Sequence, residues 1–339
     1  MRAAFGLSRR WLSSGSSGSL AEVLSAVASG AMSPDSARAR LGAEYETVGD
    51  YARIDHSREG RTGLPEAVFA EGKTAEQVVA ILQSIDARGS VAMATRVDAP
   101  LWAQIEALSP EGSAVHYYRD ARICTLASAA AKDAAPRALR GGTIAVVCAG
   151  TTDLPVAEEA AVSAELYGFE VTRVSDVGVA GIHRLVRNAE RIGEADVAIC
   201  VAGMDGALFS ALGGLVRCPV IAVPTSVGYG TSFAGVTPLL GALNACSAGV
   251  GVMNIDNGFG ATTLAARIIL GGERRRAAAV GAAGAGAVVN VSSPSKPNAS
   301  AAALLLTGGA ALALQSSSPK PKPSSSTAGH TYSASSGSC

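Results

Sequence analysis

The chain has 339 residues, 48% of them hydrophobic, which is enough for one or two domains with a substantial core. Its 28 basic residues balance its 28 acidic ones, so net charge points neither to a nucleic-acid binder nor to an acidic-tail protein. Aromatic residues make up only 4% while glycines number 39, a mixture suited to closely packed helices and strands joined by tight turns.

Residues 1–18 contain Arg2, Arg9 and Arg10, several serines and no acid, with Phe5, Leu7, Trp11 and Leu12 as an apolar side. This resembles a mitochondrial or plastid transit peptide more than a secretory signal, because it lacks a long apolar stretch. The other reading is an unstructured N-terminus, which leaves the cytoplasm as the location. Residues 19–135 predict a small α/β lobe. Leu20–Leu41 reads as a helical hairpin broken at Ser33-Pro34-Asp35. A polar, charge-dense loop follows from Tyr51 to Glu66. Val68-Phe69 reads as a brief strand, Lys73-Thr74 leads a helix ending near Asp86, and Val91–Arg96 reads as a strand.

From residue 140 to 272 the pattern becomes regular. Apolar strands at Ile144–Cys148, Phe169–Val174, Val197–Val201, Val220–Val223 and Val250–Ile255 alternate with helices. The helices are Pro155–Tyr167, Ile182–Ile192, Ala207–Leu215, Val236–Ala248 and Ala261–Leu270. Such alternation predicts a three-layer α/β domain, a parallel sheet covered on both faces. Residues 277–339 contain no carboxylate and are built of Ala, Gly, Ser and Pro, so they read as a disordered low-complexity tail. Its most apolar part, Ala301–Leu314, is too short to span a bilayer, which takes about 20 residues.

Of six cysteines none forms a CxxC pair, so there is no zinc pattern and no disulfide framework. Cys148, Cys200 and Cys218 lie in apolar runs and read as core. Glycines and small polar residues collect after every strand of the regular region: Gly150-Thr-Thr-Asp153, Ser175-Asp-Val-Gly178, Gly203-Met-Asp-Gly206, Thr225-Ser-Val-Gly228 and Asp256-Asn-Gly258. In open α/β sheets the ligand crevice lies at the carboxyl ends of the strands, where helix N-termini aim N–H groups at anions. Five such loops on one edge predict a phosphate-containing ligand. Neither a GxGxxG dinucleotide fingerprint nor a P-loop is present.

The ordered set Gly150-Thr-Thr-Asp-Leu-Pro155, Ala180-Gly-Ile-His-Arg184, Val201-Ala-Gly-Met-Asp-Gly-Ala207, Pro219-Val-Ile-Ala-Val-Pro-Thr-Ser-Val-Gly-Tyr-Gly230 and Asn254-Ile-Asp-Asn-Gly-Phe-Gly260 is similar to that of aminoimidazole ribonucleotide carboxylases. It resembles still more the LarB family of nickel-pincer cofactor biosynthesis, which Arg58-Glu-Gly-Arg-Thr-Gly-Leu-Pro-Glu66 and Gly72-Lys73-Thr74 also match. The resemblance spans about residues 20–272 and implies a carboxylase-like, flavodoxin-like core.

It also implies the chemistry. LarB-like enzymes add a carboxylate to C5 of the pyridinium ring of nicotinic acid adenine dinucleotide, using carbon dioxide or bicarbonate. They cleave the phosphoanhydride, use Mg2+ and assemble as homo-octamers. No nucleic acid or membrane partner is implied. Cys246, in Leu243-Asn-Ala-Cys-Ser-Ala-Gly249, falls at the family's nucleophile position, where purine carboxylases have proline. Asp205 stands where the LarB pattern has Glu, as the base that removes the C5 proton; alone, it reads equally as a helix cap. Thr152, Asp153, His183, Arg184, Gly203, Ser226 and Asn257 are the expected substrate-binding residues, and the metal ligands are unknown. Phe209, near a second histidine of the purine enzymes, reads either as a stacking ring or as core. Two other readings stay open: an aminoimidazole ribonucleotide carboxylase or mutase, and an idle nucleotide-binding homologue.

Overall fold

A computed structural model describes residues 20–37, 45–128 and 139–284. The expected leader, residues 38–41 of the expected hairpin and the tail beyond 284 lie outside the described residues.

The first helix is α1 (Leu20–Ala28), followed by a short antiparallel pair, β1 (Glu46–Val48) and β2 (Ala52–Ile54). The charge-dense stretch is therefore not all loop. It also contains α2 (Arg58–Thr62), which Gly63 ends at φ 82, a left-handed backbone suited to glycine. Then come β3 (Val68–Phe69), α3 (Ala75–Asp86), β4 (Ala92–Thr95), α4 (Ala99–Leu108), β5 (Ala114–Tyr118) and β6 (Ile123–Ala127). Thr74 and Gln77 close a capping box on α3, satisfying two otherwise free N–H groups. Strands β3, β4, β6 and β5 form a mixed sheet in that order, β3 parallel to β4 and the rest antiparallel.

The second sheet is parallel throughout. It contains β7 (Thr143–Cys148), β8 (Glu170–Val174), β9 (Val197–Ala202), β10 (Val220–Pro224) and β11 (Val250–Val252), in the order β11-β10-β9-β7-β8. Between them run α5 (Leu154–Leu166), α6 (Ile182–Gly193), α7 (Ala207–Leu215) and α8 (Val236–Leu243), and α9 (Gly258–Gly284) closes the domain. The chain goes out to β8, returns past β7 and continues through β9, so the topological switch point lies between β7 and β9. Alternate strand residues face opposite layers. Ile144, Val146, Ile199 and Val201 pack with Ala160 and Ala161 of α5 and Ala265 of α9. Ala145, Val147, Ala198 and Cys200 pack with Leu185 of α6, Leu208 and Leu212 of α7 and Ala242 of α8. The α5 and α9 contacts are mostly alanine, which lets these helices lie close to the sheet.

Several boundaries differ from the sequence reading: β11 ends at Val252 rather than Ile255, and α9 starts at Gly258 rather than Ala261. Helix α8 stops at Leu243 rather than continuing to Ala248, and α9 runs on to Gly284, so the first residues of the expected tail are helical. The N-terminal lobe has a core of its own around Val78, Leu82, Ala92 and Cys124. Its opposite face, carrying Met93 and Ile123, belongs to the same apolar cluster as α5 and α9. Tyr167, wholly buried, reaches the Pro65 carbonyl of the lobe, and Arg140 donates to the Gly63 carbonyl.

Candidate active site

The carboxyl edge of the parallel sheet is built from strained turns. Asp176, Met204 and Asp256, following β8, β9 and β11, have φ of 57°, 55° and 56°. Non-glycine residues in the left-handed region cost energy and gather at functional sites. Gly203 ends β9 where a side chain has no room: a Cβ would stand 2.7 Å from the Thr225 hydroxyl and against the Val227 carbonyl.

Asp153 ties three loops together. It precedes α5, yet its carboxylate turns away from that helix. One oxygen accepts from the Gly150 N–H at 2.9 Å and the other from the Thr225 hydroxyl at 2.7 Å. Only 4% of Asp153 is exposed, and Thr225 is fully buried. Burial pushes the Asp153 carboxyl up, against the lowering pull of its Thr225, Gly150 and Gly203 donors. Beside it, the Asp256 carboxylate accepts from the Ser226 N–H at 2.8 Å, and the Asp256 N–H donates to the Pro224 carbonyl at 2.8 Å. Asn257 caps α9 by accepting from the Gly260 N–H at 2.7 Å. Asp153, Gly203, Ser226 and Asn257 thus share one edge.

Of the remaining candidates, Thr152, His183 and Asp205 are exposed and Arg184 is half-buried. Thr152 lies on the turn before α5, and His183 on the first turn of α6. Arg184 pairs with Asp176 across the β8–α6 connection, not with the glutamates further along its helix. Asp205 precedes α7 and accepts from the Ala207 N–H at 3.1 Å, so it does serve the helix start, one residue before the cap position.

Cys246 lies on a different connection. A crossover between parallel strands leaves the carboxyl edge and must return to the amino edge. Cys246 lies on that return, after α8 has ended and four residues before β11, whose first residue pairs with the first of β10. The hydroxyl of neighbouring Ser247 donates to the Ser210 carbonyl at 2.5 Å, and Ser247 lies against Gly213 late in α7. Asp205 stands before the start of α7, a nine-residue helix about 14 Å long. Cys246 thus turns beside the second half of α7, while Asp205 stands before its first residue, its carbonyl against Gly241 of α8. The Cys246 thiol is exposed, whereas Cys124, Cys148 and Cys200 are buried. Burial pushes Cys124 up to about 12, which leaves it a thiol.

Phe209 is fully buried among the residues under α7, so it is core and not a stacking surface. Among the described residues no three of His, Cys, Asp and Glu are grouped to hold a metal, and the Asp153 and Asp256 carboxylates are already committed to loop donors. The described groups thus form no ready-made three-ligand metal centre within one chain. Thr225 and Asp256, which hold the loops, were not among the expected binding residues. Their signal was place: Thr225 directly follows β10, and Asp256 lies in the loop four residues past the end of β11. Among the described residues no helix is long and apolar enough to cross a membrane.

Residues 45–128 match the LarB/PurE-like N-terminal domain, and residues 143–284 match AIR carboxylase. The chain belongs to the family that joins these two domains. An uncharacterized protein of Methanocaldococcus jannaschii, MJ0165, is 39% identical over 230 residues, covering 66% of this chain and 86% of that protein. Crystal structures of Treponema denticola PurE and of a PurE2 variant from the same organism align at 18% and 20% identity, with TM-scores of 0.32 and 0.31. Each alignment covers 41% of this chain, and 93% and 92% of those chains respectively. Both matched domains of this family thus lie within the described residues, and a carboxylase-type enzyme is the activity the family supports.

Proposed function

We propose that the chain carboxylates C5 of the pyridinium ring of nicotinic acid adenine dinucleotide and hydrolyses its phosphoanhydride. The products are AMP and pyridinium-3,5-biscarboxylic acid mononucleotide. The observation that carries this reading is Cys246, the exposed cysteine among those described, in the motif where the purine enzymes have proline. The aminoimidazole alternative shares the core but has no use for such a thiol.

A pyridinium ring is electron-poor and does not attack carbon dioxide. Addition of the Cys246 thiolate to the ring moves an electron pair to C5, which then bonds to carbon dioxide. Asp205 removes the C5 proton, and the C–S bond breaks to restore the aromatic cation and the thiolate. In a separate step water attacks phosphorus and AMP leaves with the anhydride electron pair. Mg2+ is assigned no step, because the described residues do not cluster to hold it.

Because Cys246 is exposed at the end of an uncovered apolar stripe, this reading places the reaction between copies, Asp205 from one and Cys246 from the next. Exposed Phe233, Val236, Leu240 and Leu243 recur every three or four residues up to the Cys246 turn. We assign this stripe as a seat for the neighbouring copy in a homo-octamer. The test is incubation with the dinucleotide, bicarbonate and Mg2+, followed by mass spectrometry. AMP and a doubly carboxylated mononucleotide are expected. AMP release alone, or unchanged substrate, would refute the reading.

A further inference from the structure

Glu159 is a buried carboxylate on α5 that the proposed chemistry does not use; its side chain is 4% exposed. One oxygen accepts from the Thr95 hydroxyl and from Arg96 Nε at 3.1 Å, both on the N-terminal lobe. The other accepts from the N–H groups of Gly258 and Phe259, at 3.0 and 3.3 Å, where α9 begins. The second arm of the Arg96 guanidinium donates to the Asp256 carbonyl. Arg96 and Asp256 are both left-handed, at φ 63° and 56°, so two strained turns from different sheets face each other across one guanidinium.

The consequence reaches the ligand edge in two bonds. Arg96 holds the Asp256 carbonyl, and the Asp256 carboxylate holds the Ser226 N–H. Ser226 adjoins Thr225, which holds Asp153, and Asn257 adjoins Asp256. A planar fork can serve a carboxylate and a carbonyl at once, which an ammonium on a flexible stem cannot do with the same geometry.

We propose that Arg96 is a positioning residue. Through Glu159 and Asp256 the N-terminal lobe sets the 225–226 and 256–257 loops in the conformation that receives the substrate. The role of those loops in binding rests on the function proposed above.

Replacing Arg96 alone strands a buried charge on Glu159, so the informative variant is the double one, Arg96→Gly with Glu159→Gln. Glycine takes the left-handed backbone freely, and glutamine keeps an oxygen for the Gly258 and Phe259 N–H groups. Amide hydrogen exchange of the full chain is then compared with wild type. Faster exchange is expected at Ser226 and at residues 256–259, with β7 and β9 unchanged. In turnover of the dinucleotide, KM should rise about tenfold or more with little change in kcat. Arg96→Lys, which keeps the charge but not the fork, should fall between the double variant and wild type. Unchanged exchange at Ser226 and residues 256–259, or equal acceleration throughout both sheets, would overturn the proposal. Failure of the wild type to turn over the dinucleotide would sink the assigned reaction, and the exchange pattern would still decide the role of Arg96.

Discussion

Asp205 and Asp153 are both carboxylates on the carboxyl edge, and their surroundings give them different work. Asp205 is exposed and has one backbone partner, Ala207, so it can leave that bond and meet a proton on substrate. Asp205→Asn should slow product formation about 10²–10⁴-fold if this carboxylate is the general base. Asp205→Glu, which restores the reach of the LarB pattern, should match or exceed wild type. Equal turnover by Asn and Asp would leave Asp205 with only its helix-start role. Asp153 is buried, and its carboxyl is raised above the ordinary value. A folded pKa above the unfolded one means its contribution to stability is complete below the unfolded value and is lost as pH rises through the folded value. Relative to Asp153→Asn, which does not titrate, the wild-type protein should gain most at acid pH. That advantage should shrink as pH rises above about 4 toward neutrality. Urea unfolding of both proteins across this range checks the sign; an advantage growing with pH would contradict it.

At the scale of elements, close approach of loops sets the edge. Gly203→Ala puts a methyl group against the Thr225 hydroxyl and the Val227 carbonyl, atoms held by Asp153 and by the chain itself. The cost should be about 1–3 kcal/mol, read as a lower urea midpoint at unchanged slope. The parallel sheet was legible because its central strands β7, β9 and β10, buried on both faces, leave continuous apolar runs, and each helix between the strands has its own period. The hairpin of β5 and β6 was not. His116, Tyr117 and Tyr118 mix polar and apolar groups on a strand with no fully buried residue, so no run stands out. Helix α4 hid behind an equally weak pattern, burying only Ile105. The alanines around Cys246 extended the α8 pattern on paper, although the chain has to turn there to enter β11. The loop residues of the site could be read from their positions after strands. Glu159 and Arg96 could not, because their pairing joins residues 63 positions apart across two sheets.

In the whole molecule, the lobe and the carboxylase-type domain share one apolar cluster, while Phe233, Val236, Leu240 and Leu243 are left exposed. The assigned seat for a neighbouring copy leads to a prediction separate from those made on single chains. If each reaction centre takes Asp205 from one copy and Cys246 from another, Asp205→Asn and Cys246→Ser proteins should each be nearly inactive alone. Cys246→Ser fails because an alcohol is a poor nucleophile near neutral pH. Dissociating the two proteins together and reassembling them places some intact Asp205 beside intact Cys246, so activity should return. A Leu240→Glu substitution added to both chains puts a charge in the apolar seat and should prevent that recovery. Light scattering follows assembly, and mass spectrometry follows the biscarboxylated product. Mixed assemblies that form yet stay as inactive as their parents would show that Asp205 and Cys246 do not act on one substrate across a shared boundary.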